Sequence, residues 1–315
     1  MNILDIKSFL KLVEIQTKVA SITPFILANL FLLYQYDSFN FVNFSLFFLS
    51  LLAADMGTTA VNNYQDFKRA QKKEGYNYEL HNAIVKYDLS EKTVKKTILS
   101  LFGAAVLIGI VLFLRTDIVV LLIGALSFLV GIIYTSGPVP ISRTPLGEIF
   151  SGLFMGFFII FLAIYIHNLQ LLNIFRESNQ VIIEMVYYDI IKIFIFTLPL
   201  ILGISNIMLA NNICDIEDDL ANDRYTLPIY IGKLKSLNLF KYLYYLSYLS
   251  ILISVILNIL PIYSLLSLLT FFLVEKNINT FFKKQSKKET FELAVQNFLI
   301  INYATALTLI IALIF

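Results

Sequence analysis

Nine long apolar runs, separated by polar connections, dominate the chain and restrict what it can become. In lipid every backbone polar group must be satisfied within the segment or by a closed neighbour, so only helices and closed barrels span. The runs are far longer than the nine to eleven residues of a barrel strand and suit a hydrocarbon core about 30 Å thick. We read spans near 17–35, 41–62, 96–114, 117–135, 148–166, 190–212, 237–257, 259–275 and 293–314. Hydrophobic residues make up 58% of the chain and charged residues 15%, the balance of an integral membrane protein. The expected fold is all-α: a polytopic membrane protein of nine helices. No small-residue cleavage site follows the amphipathic opening Phe9–Glu14, so the first span is expected to be its own uncleaved insertion signal.

The connections are of two kinds. Those at 63–95, 136–147, 213–236 and 276–292 are long or highly charged, whereas those near 36–40, 115–116 and 258 are short. Segment 167–189 is long yet carries a single connecting basic residue, Arg176. With the N-terminus and the charged connections on one face, all but three of the 24 Lys and Arg fall there; Arg115, Arg176 and Lys192 remain opposite. Such a bias marks a cytoplasmic face. The expectation is a cell-membrane protein with its N-terminus inside and its C-terminus outside. Single Cys214 excludes an internal disulfide. His81 and His167 show no partner in sequence and receive no role.

Two Asn/Asp clusters end spans two and six: Asn62-Asn63-Tyr64-Gln65-Asp66 and Asn211-Asn212-Ile213-Cys214-Asp215-Ile216-Glu217-Asp218-Asp219. Asn62 and Asp66 are four apart; Asn211, Asp215 and Asp219 step by four, which stacks oxygen donors on one helix face. Hard oxygens suit Mg²⁺, which takes one or two protein carboxylates and completes its shell with substrate phosphates. One such cluster alone is ordinary turn chemistry. Two at matching places in spans 1–4 and 5–8 form a functional repeat and point to a diphosphate held at a membrane surface.

The residues around these clusters carry a resemblance. Asn62-Asn63-Tyr64-Gln65-Asp66-Phe67-Lys68-Arg69 resembles the first motif of the UbiA superfamily of membrane prenyltransferases, and most nearly its 1,4-dihydroxy-2-naphthoate polyprenyltransferase branch. Asn211-Asn212-x-x-Asp215-x-x-x-Asp219, followed by Asn222-Asp223-Arg224-Tyr225-Thr226-Leu227-Pro228, resembles the second motif. Tyr134-Thr135-Ser136-Gly137-Pro138-Val139-Pro140 and Leu146-Gly147-Glu148 resemble a third segment between them. The likeness covers about the whole chain, as one domain over 1–315 with its motifs at 62–72 and 211–228.

The resemblance implies that Mg²⁺ is held by Asn62, Asp66, Asp215 and Asp219 and chelates a polyprenyl diphosphate. It implies transfer of the polyprenyl chain to 1,4-dihydroxy-2-naphthoate with loss of CO₂, giving demethylmenaquinone. Asn62, Asn63, Lys68, Lys72, Asn211, Asn212 and Arg224 are the expected substrate-binding residues; Asp66, Asp215, Asp219, Tyr134 and Glu148 are the expected catalytic ones. Tyr134 would face a carbocation with its ring, and Glu148 would orient or deprotonate the acceptor phenol. Membrane lipid is the other expected partner, and nucleic acid is not one.

The chain also departs from the pattern. The family has an acid where Asn63 stands, a further acid near Ala70–Lys72, and an arginine where Cys214 stands. Lys68 or Lys72 touching diphosphate directly would replace part of a second metal's charge. Asp55, an acid inside span two, is eleven residues from Asp66, about 16 Å along a helix; it reads as a packing acid or an acceptor contact. Gly137, Pro138 and Pro140 read as turn-makers, and Lys283, Lys284, Lys287 and Lys288 as topology and anionic-lipid contacts. Other readings are a sister enzyme acting on 4-hydroxybenzoate or haem, a secondary transporter, and an inactive relative. Transporters place their polar site near mid-bilayer on broken helices, whereas these acids sit at span ends.

Overall fold

The structure is a computed structural model, and it describes residues 4–36, 38–70, 82–167 and 171–315. A short helix α1 (Ile6–Leu12) leads through a 3₁₀ turn (Ile15–Lys18) into α2 (Val19–Tyr36). Then come α3 (Phe41–Arg69), α4 (Ala83–Lys86), α5 (Glu91–Arg115), α6 (Ile118–Thr135), α7 (Gly147–Leu153) and α8 (Ile159–Tyr165). A two-stranded hairpin, β1 (Leu172–Glu177) and β2 (Gln180–Met185), precedes α9 (Tyr187–Cys214), α10 (Ile216–Ala221) and α11 (Leu227–Ile231). The chain ends with α12 (Lys233–Ile256), a 3₁₀ stretch (Ile262–Thr270), α13 (Phe271–Lys283) and α14 (Glu292–Ile314). Short polar side chains start several of these helices by accepting an orphan backbone N–H: Asp5, Asn40, Asn82, Ser90 and Asp117.

Among the described residues nine helical segments are long and apolar enough to cross a membrane. They correspond one to one with the spans expected from the sequence. The second runs on to Lys68, so Asn62 and Asp66 lie on the helix itself rather than in a connection. The fifth is α7 and α8 joined by a π-helical turn, Phe154–Phe158. The exceptional segment 167–189 holds the antiparallel hairpin, with Leu172 opposite Met185 and Glu177 opposite Gln180. Ser178 turns it with a positive φ of 52°.

The short connections gather at one end of the bundle through direct hydrogen bonds. Gln35 donates to the Ile259 carbonyl at 2.9 Å. Ser38 donates to the His167 carbonyl at 3.0 Å, and Asn43 to the Ile166 carbonyl at 2.7 Å. Arg115 donates to Asn43 Oδ1 at 3.0 Å, and Tyr165 to Asp117 at 2.6 Å. Connections after the first, third, fifth and seventh spans thus meet, which sends the remaining, charged connections to the opposite end.

His167, which the sequence leaves without a partner, is the pivot of that sealed end. It is buried, its Nδ1 accepts the Asn40 backbone N–H at 2.7 Å, and its Nε2 lies 3.1 Å from Asn29 Oδ1. Asn29 donates its amide to the Phe25 carbonyl, so its oxygen accepts and His167 is the neutral Nε2–H tautomer. Phe39 stacks on the ring at 4.8 Å. Burial pushes the imidazole from 6.5 down to about 4. Buried Lys18 and half-buried Asp55 pair at 2.6 Å, completed by Ser21 and Thr59; Asp55 is therefore a packing acid joining the first two spans.

The imidazole shift has a definite sign. The unfolded chain protonates His167 near pH 6.5, whereas the folded chain resists until about pH 4. Its stabilisation is complete above pH 6.5 and is lost as pH falls towards 4. Thermal melts of the protein in nanodiscs between pH 7.5 and 4 should show this decline, and His167→Gln should remove that component. His167→Ala, removing the partner of the Asn40 N–H and of Asn29 Oδ1, should cost about 1–3 kcal/mol at pH 7.5.

Candidate active site

The site is built where two helices come unusually close. A Cβ on Gly156 would lie 2.6 Å from Ile201 Cα, and one on Gly152 would lie 2.8 Å from the Ile201 carbonyl oxygen. Glycines four apart thus let the fifth span press its backbone against α9, as small residues do in membrane bundles. Ser205 of α9 then donates to the Glu148 backbone carbonyl at 2.9 Å. About two turns further along α9 stand Asn211 and Asn212, and the rest of the Asn/Asp cluster follows at the start of α10.

Glu148, in the first turn of α7, is 4% exposed. Its Oε1 accepts from Asn212 Nδ2 at 2.9 Å, while its Oε2 is buried with no hydrogen-bond partner among the described residues. An unsatisfied buried carboxylate oxygen is costly and calls for an explanation. Beside it, Tyr134 at the end of α6 shares a 2.8 Å hydrogen bond with Ser151 and reaches the Gly147 carbonyl at 3.4 Å. Tyr134 thus abuts the first turn of α7, which carries Glu148 and through it Asn212.

Asp215 sits at the junction of α9 and α10, and the i to i+4 ladder continues through it. Its N–H donates to Asn211 O, and Asp219 N–H donates to Asp215 O at 2.7 Å. Asp219 is 2% exposed and accepts from Thr226 Oγ1 at 3.1 Å. Asp223 takes a positive φ of 53°, folding the chain back so that Arg224 N–H donates to the Asp219 carbonyl at 2.8 Å. The Arg224 Nε then lies 3.3 Å from Asp219 Oδ1, an ion pair without hydrogen-bond alignment. Burial pushes the Asp219 carboxyl up to about 6, with Arg224 opposing and Asp215 reinforcing the shift. Arg224 also donates to the Ser142 carbonyl, and Tyr225 N–H to the Arg143 carbonyl, which ties the second cluster to the connection before α7.

Lys287 joins this group, a correction to its reading as a lipid or topology contact. From the connection between α13 and α14 it donates to Asp215 Oδ2 at 2.6 Å and to Asn211 Oδ1. Sequence offered no signal for this, since Lys287 stands among three other lysines within six residues.

The first cluster is arranged differently. Asn62 and Asp66 are exposed on the last turns of α3. Asn63 is buried and donates its amide to the Leu12 carbonyl at 3.2 Å and to Glu14 at 3.1 Å, while its backbone carbonyl accepts from Asn82. Its N–H groups thus serve packing against the N-terminal segment. Lys68 pairs with Glu91 at 3.1 Å, whose other oxygen accepts from Tyr64 at 2.9 Å. Lys72 lies outside the described residues.

The donor set suits a hard divalent cation. Asn211 Oδ1 and Asp215 Oδ2 already converge on one positive group, the Lys287 ammonium. Among the described residues no three acid, histidine or cysteine side chains close around one point. Such a partial set matches Mg²⁺, which keeps waters and recruits phosphate oxygens instead of an all-protein cage.

Fold and site together define a polytopic all-α membrane protein with a half-buried, oxygen-rich polar site at the charged end of its bundle. The chain belongs to the UbiA prenyltransferase family, whose description matches residues 21–302. It is 28% identical over 223 residues to a 1,4-dihydroxy-2-naphthoate octaprenyltransferase of Bacillus subtilis (strain 168). That match takes in 71% of this chain and 65% of the Bacillus enzyme, just under two thirds of that relative's length. Among solved structures, a UbiA homologue from Archaeoglobus fulgidus bound to GPP and Mg²⁺ superposes with a TM-score of 0.67 at 12% identity, covering 98% of this chain and 100% of that one. An apo UbiA homologue from Aeropyrum pernix K1 gives 0.65 at 15% identity, covering 96% and 98%. A digeranylgeranylglyceryl phosphate synthase structure gives 0.64 at 17%, covering 98% of each chain. These structures share the fold.

The close approach at Gly152 and Gly156 makes a clear prediction. Gly156→Ala must displace α9 backbone, and Gly152→Ala must displace the Ile201 carbonyl, so each should lower the melting temperature by several degrees, as overpacking costing about 1–3 kcal/mol does. Both should also weaken the Glu148–Asn212 contact, read as a fall in turnover larger than that of Gly124→Ala, whose Cβ meets open space.

Proposed function

We propose that this chain transfers a polyprenyl group from polyprenyl diphosphate to 1,4-dihydroxy-2-naphthoate with decarboxylation, giving demethylmenaquinone in its reduced, quinol form. The observation that carries this reading is the buried Glu148 carboxylate, one oxygen tethered by Asn212 and the other unpaired, beside the Asn211–Asp215–Asp219 ladder. An acid able to take a phenolic proton and a set of oxygens able to hold a metal-bound diphosphate are what an aromatic prenyl transfer needs side by side. The choice of naphthoate acceptor is supported by the second-motif pattern and by the likeness to the Bacillus enzyme.

Mg²⁺, when bound through Asn211, Asp215 and Asp219, with Asn62 and Asp66 as the candidates from the first cluster, would neutralise the diphosphate as it leaves. The chain's own residues do the rest. Arg224, anchored on Asp219 and Ser142, supplies fixed positive charge where the leaving oxygen becomes anionic. Asn62, Asn63, Lys68 and Lys72 remain proposed diphosphate contacts of the first cluster. Tyr134, held by Ser151, offers its ring face to the allylic cation. Glu148 accepts the acceptor's phenolic proton, raising electron density on the ring. The prenyl C–O bond breaks, and the ring carbon bearing the carboxylate forms the new C–C bond. CO₂ departs leaving its bonding electrons in the ring, and Glu148 returns its proton to the naphthol oxygen. No oxidant is required.

We assign this work to one domain over 1–315 in the cell membrane, with the N-terminus and the site cytoplasmic and the C-terminus outside. The basic bias supports that orientation. The isoprenoid tail would enter laterally from membrane lipid.

The test is turnover of purified protein in nanodiscs with Mg²⁺, several prenyl diphosphates and three acceptors, reading pyrophosphate release and product mass. Prenylated, decarboxylated naphthol is the expected product. A prenylated 4-hydroxybenzoate or haem would move the chain to a sister activity. No Mg²⁺-dependent pyrophosphate release, with solute flux in proteoliposomes, would replace the enzyme by a transporter. Asp215→Ala and Asp219→Ala should each lower turnover about 10²-fold or more. Glu148→Gln should lower kcat about 10²–10⁴-fold while leaving the KM for prenyl diphosphate nearly unchanged.

A further inference from the structure

Four lysines occupy residues 283–288, and three of them, Lys283, Lys284 and Lys288, are exposed. Lys287 alone turns inward, its side chain one quarter exposed. The turn that carries it is well braced. The Ser286 carbonyl accepts from the N–H groups of Thr290 at 2.9 Å and Phe291 at 3.0 Å, and the Ser286 N–H donates to Thr290 Oγ1 at 2.9 Å. The Lys287 ammonium sits 5.2 Å from the Phe291 ring centroid and bonds Asp215 Oδ2 and Asn211 Oδ1. Asn211 Nδ2 also donates to Asp215 Oδ2 at 3.3 Å, so the three groups form one closed cluster.

These are the same two oxygens that the proposed function assigns to the divalent cation, on which reading this inference rests. An ammonium at 2.6 Å and a divalent ion cannot share one carboxylate oxygen without strong repulsion. A cation arriving alone must displace Lys287 and leave its charge without a partner. A cation arriving with diphosphate provides that partner, since the diphosphate oxygens bring the anionic charge that the released ammonium needs.

We propose that Lys287 is the resident counter-cation of the Asn211–Asp215 pair and a further diphosphate-binding residue. It holds the pair's oxygens until metal and diphosphate arrive, then yields the oxygens to the metal and its own charge to the diphosphate. Metal and diphosphate binding are thereby coupled, each strengthening the other through one movable side chain. Without Lys287 the metal meets less competition, the diphosphate loses a contact, and the coupling weakens.

The experiment measures binding without turnover. Mn²⁺ binding to the full chain in nanodiscs is followed by electron paramagnetic resonance, with and without farnesyl thiodiphosphate, a prenyl diphosphate mimic that resists cleavage. Relative to wild type, Lys287→Ala and Lys287→Gln should bind Mn²⁺ alone about 5- to 50-fold more tightly and the thiodiphosphate, with Mn²⁺ present, about 5- to 50-fold more weakly. Lys287→Arg should fall between them and wild type, and Lys288→Ala should match wild type. Melting temperatures within a few degrees of wild type keep the comparison one of folded proteins; should Lys287→Ala melt lower, the Gln and Arg variants carry it. Unchanged or weaker Mn²⁺ binding in the Ala and Gln variants, or an equal effect of Lys288→Ala, overturns the proposal. A wild type that binds no thiodiphosphate in the presence of Mn²⁺ overturns instead the functional reading beneath it.

Discussion

The glycine-mediated contact between the fifth span and α9 is the constraint on which the site depends. Gly152 and Gly156 let backbone meet backbone at Ile201, and Ser205 then bonds the Glu148 carbonyl. Only with the helices at that separation does the Glu148 carboxylate reach Asn212 at 2.9 Å. Lipid provides little hydrophobic drive for helices to associate, so close packing and a few interhelical hydrogen bonds must supply it. The same contact that stabilises the bundle therefore also sets the spacing of Glu148 and Asn212. A π-helical turn, Phe154–Phe158, falls in the fifth span at this contact, and such turns are often found at functional sites.

The acids of the bundle divide by how their charge is answered. Asp55 is answered permanently, by Lys18, Ser21 and Thr59 within the first two spans. Asp219 is answered by Arg224 and Thr226, both brought back by the turn at Asp223. Asp215 is answered by Lys287, from a connection distant in sequence. Glu148 has one oxygen answered and one not. Burying an unpaired charge is expensive and burying a paired one is merely tolerable. The order from Asp55 to Glu148 is then an order of increasing readiness to interact with something outside the protein.

Much of this was legible in the sequence, for physical reasons. Length and apolarity alone identify the nine spans, because lipid permits so few alternatives. Spacing by four placed Asn211, Asp215 and Asp219 on one face, since the helical ladder runs on through Asp215. Tyr134 and Glu148 were each legible only through resemblance; 13 residues separate Tyr134 from Gly147, and their contact is made by the turn between α6 and α7. What was not legible depends on tertiary direction. Lys287 reads like its neighbours until the Ser286–Phe291 turn aims it inward, and nothing local to Asn63 shows that its amide N–H groups bond the end of α1 and Glu14. His167 has no local partner because its partners, Asn29 and Asn40, come from the first two spans. The hairpin was hidden because two short strands of mixed polarity carry a weak periodic signal.

The two ends of the bundle follow opposite rules, and the contrast explains where chemistry can sit. At one end short connections are locked chiefly by hydrogen bonds between neutral groups at Gln35, Ser38, Asn40 and Asn43, with Arg115 and Asp117 each bonded to a neutral partner and a histidine kept uncharged by burial. Such bonds are short, directional and insensitive to ions, so that end acts as a clamp. At the other end longer connections are held by charged pairs, Asp215 with Lys287 and Asp219 with Arg224. Charged pairs respond to any new ion that enters, because each partner can exchange its neighbour for a stronger one. A membrane protein whose charged end can exchange ion partners while its helices stay in register needs both kinds of end. The rigid one fixes helix spacing, so that rearrangement at the responsive one is confined to side chains and does not spread through the bundle.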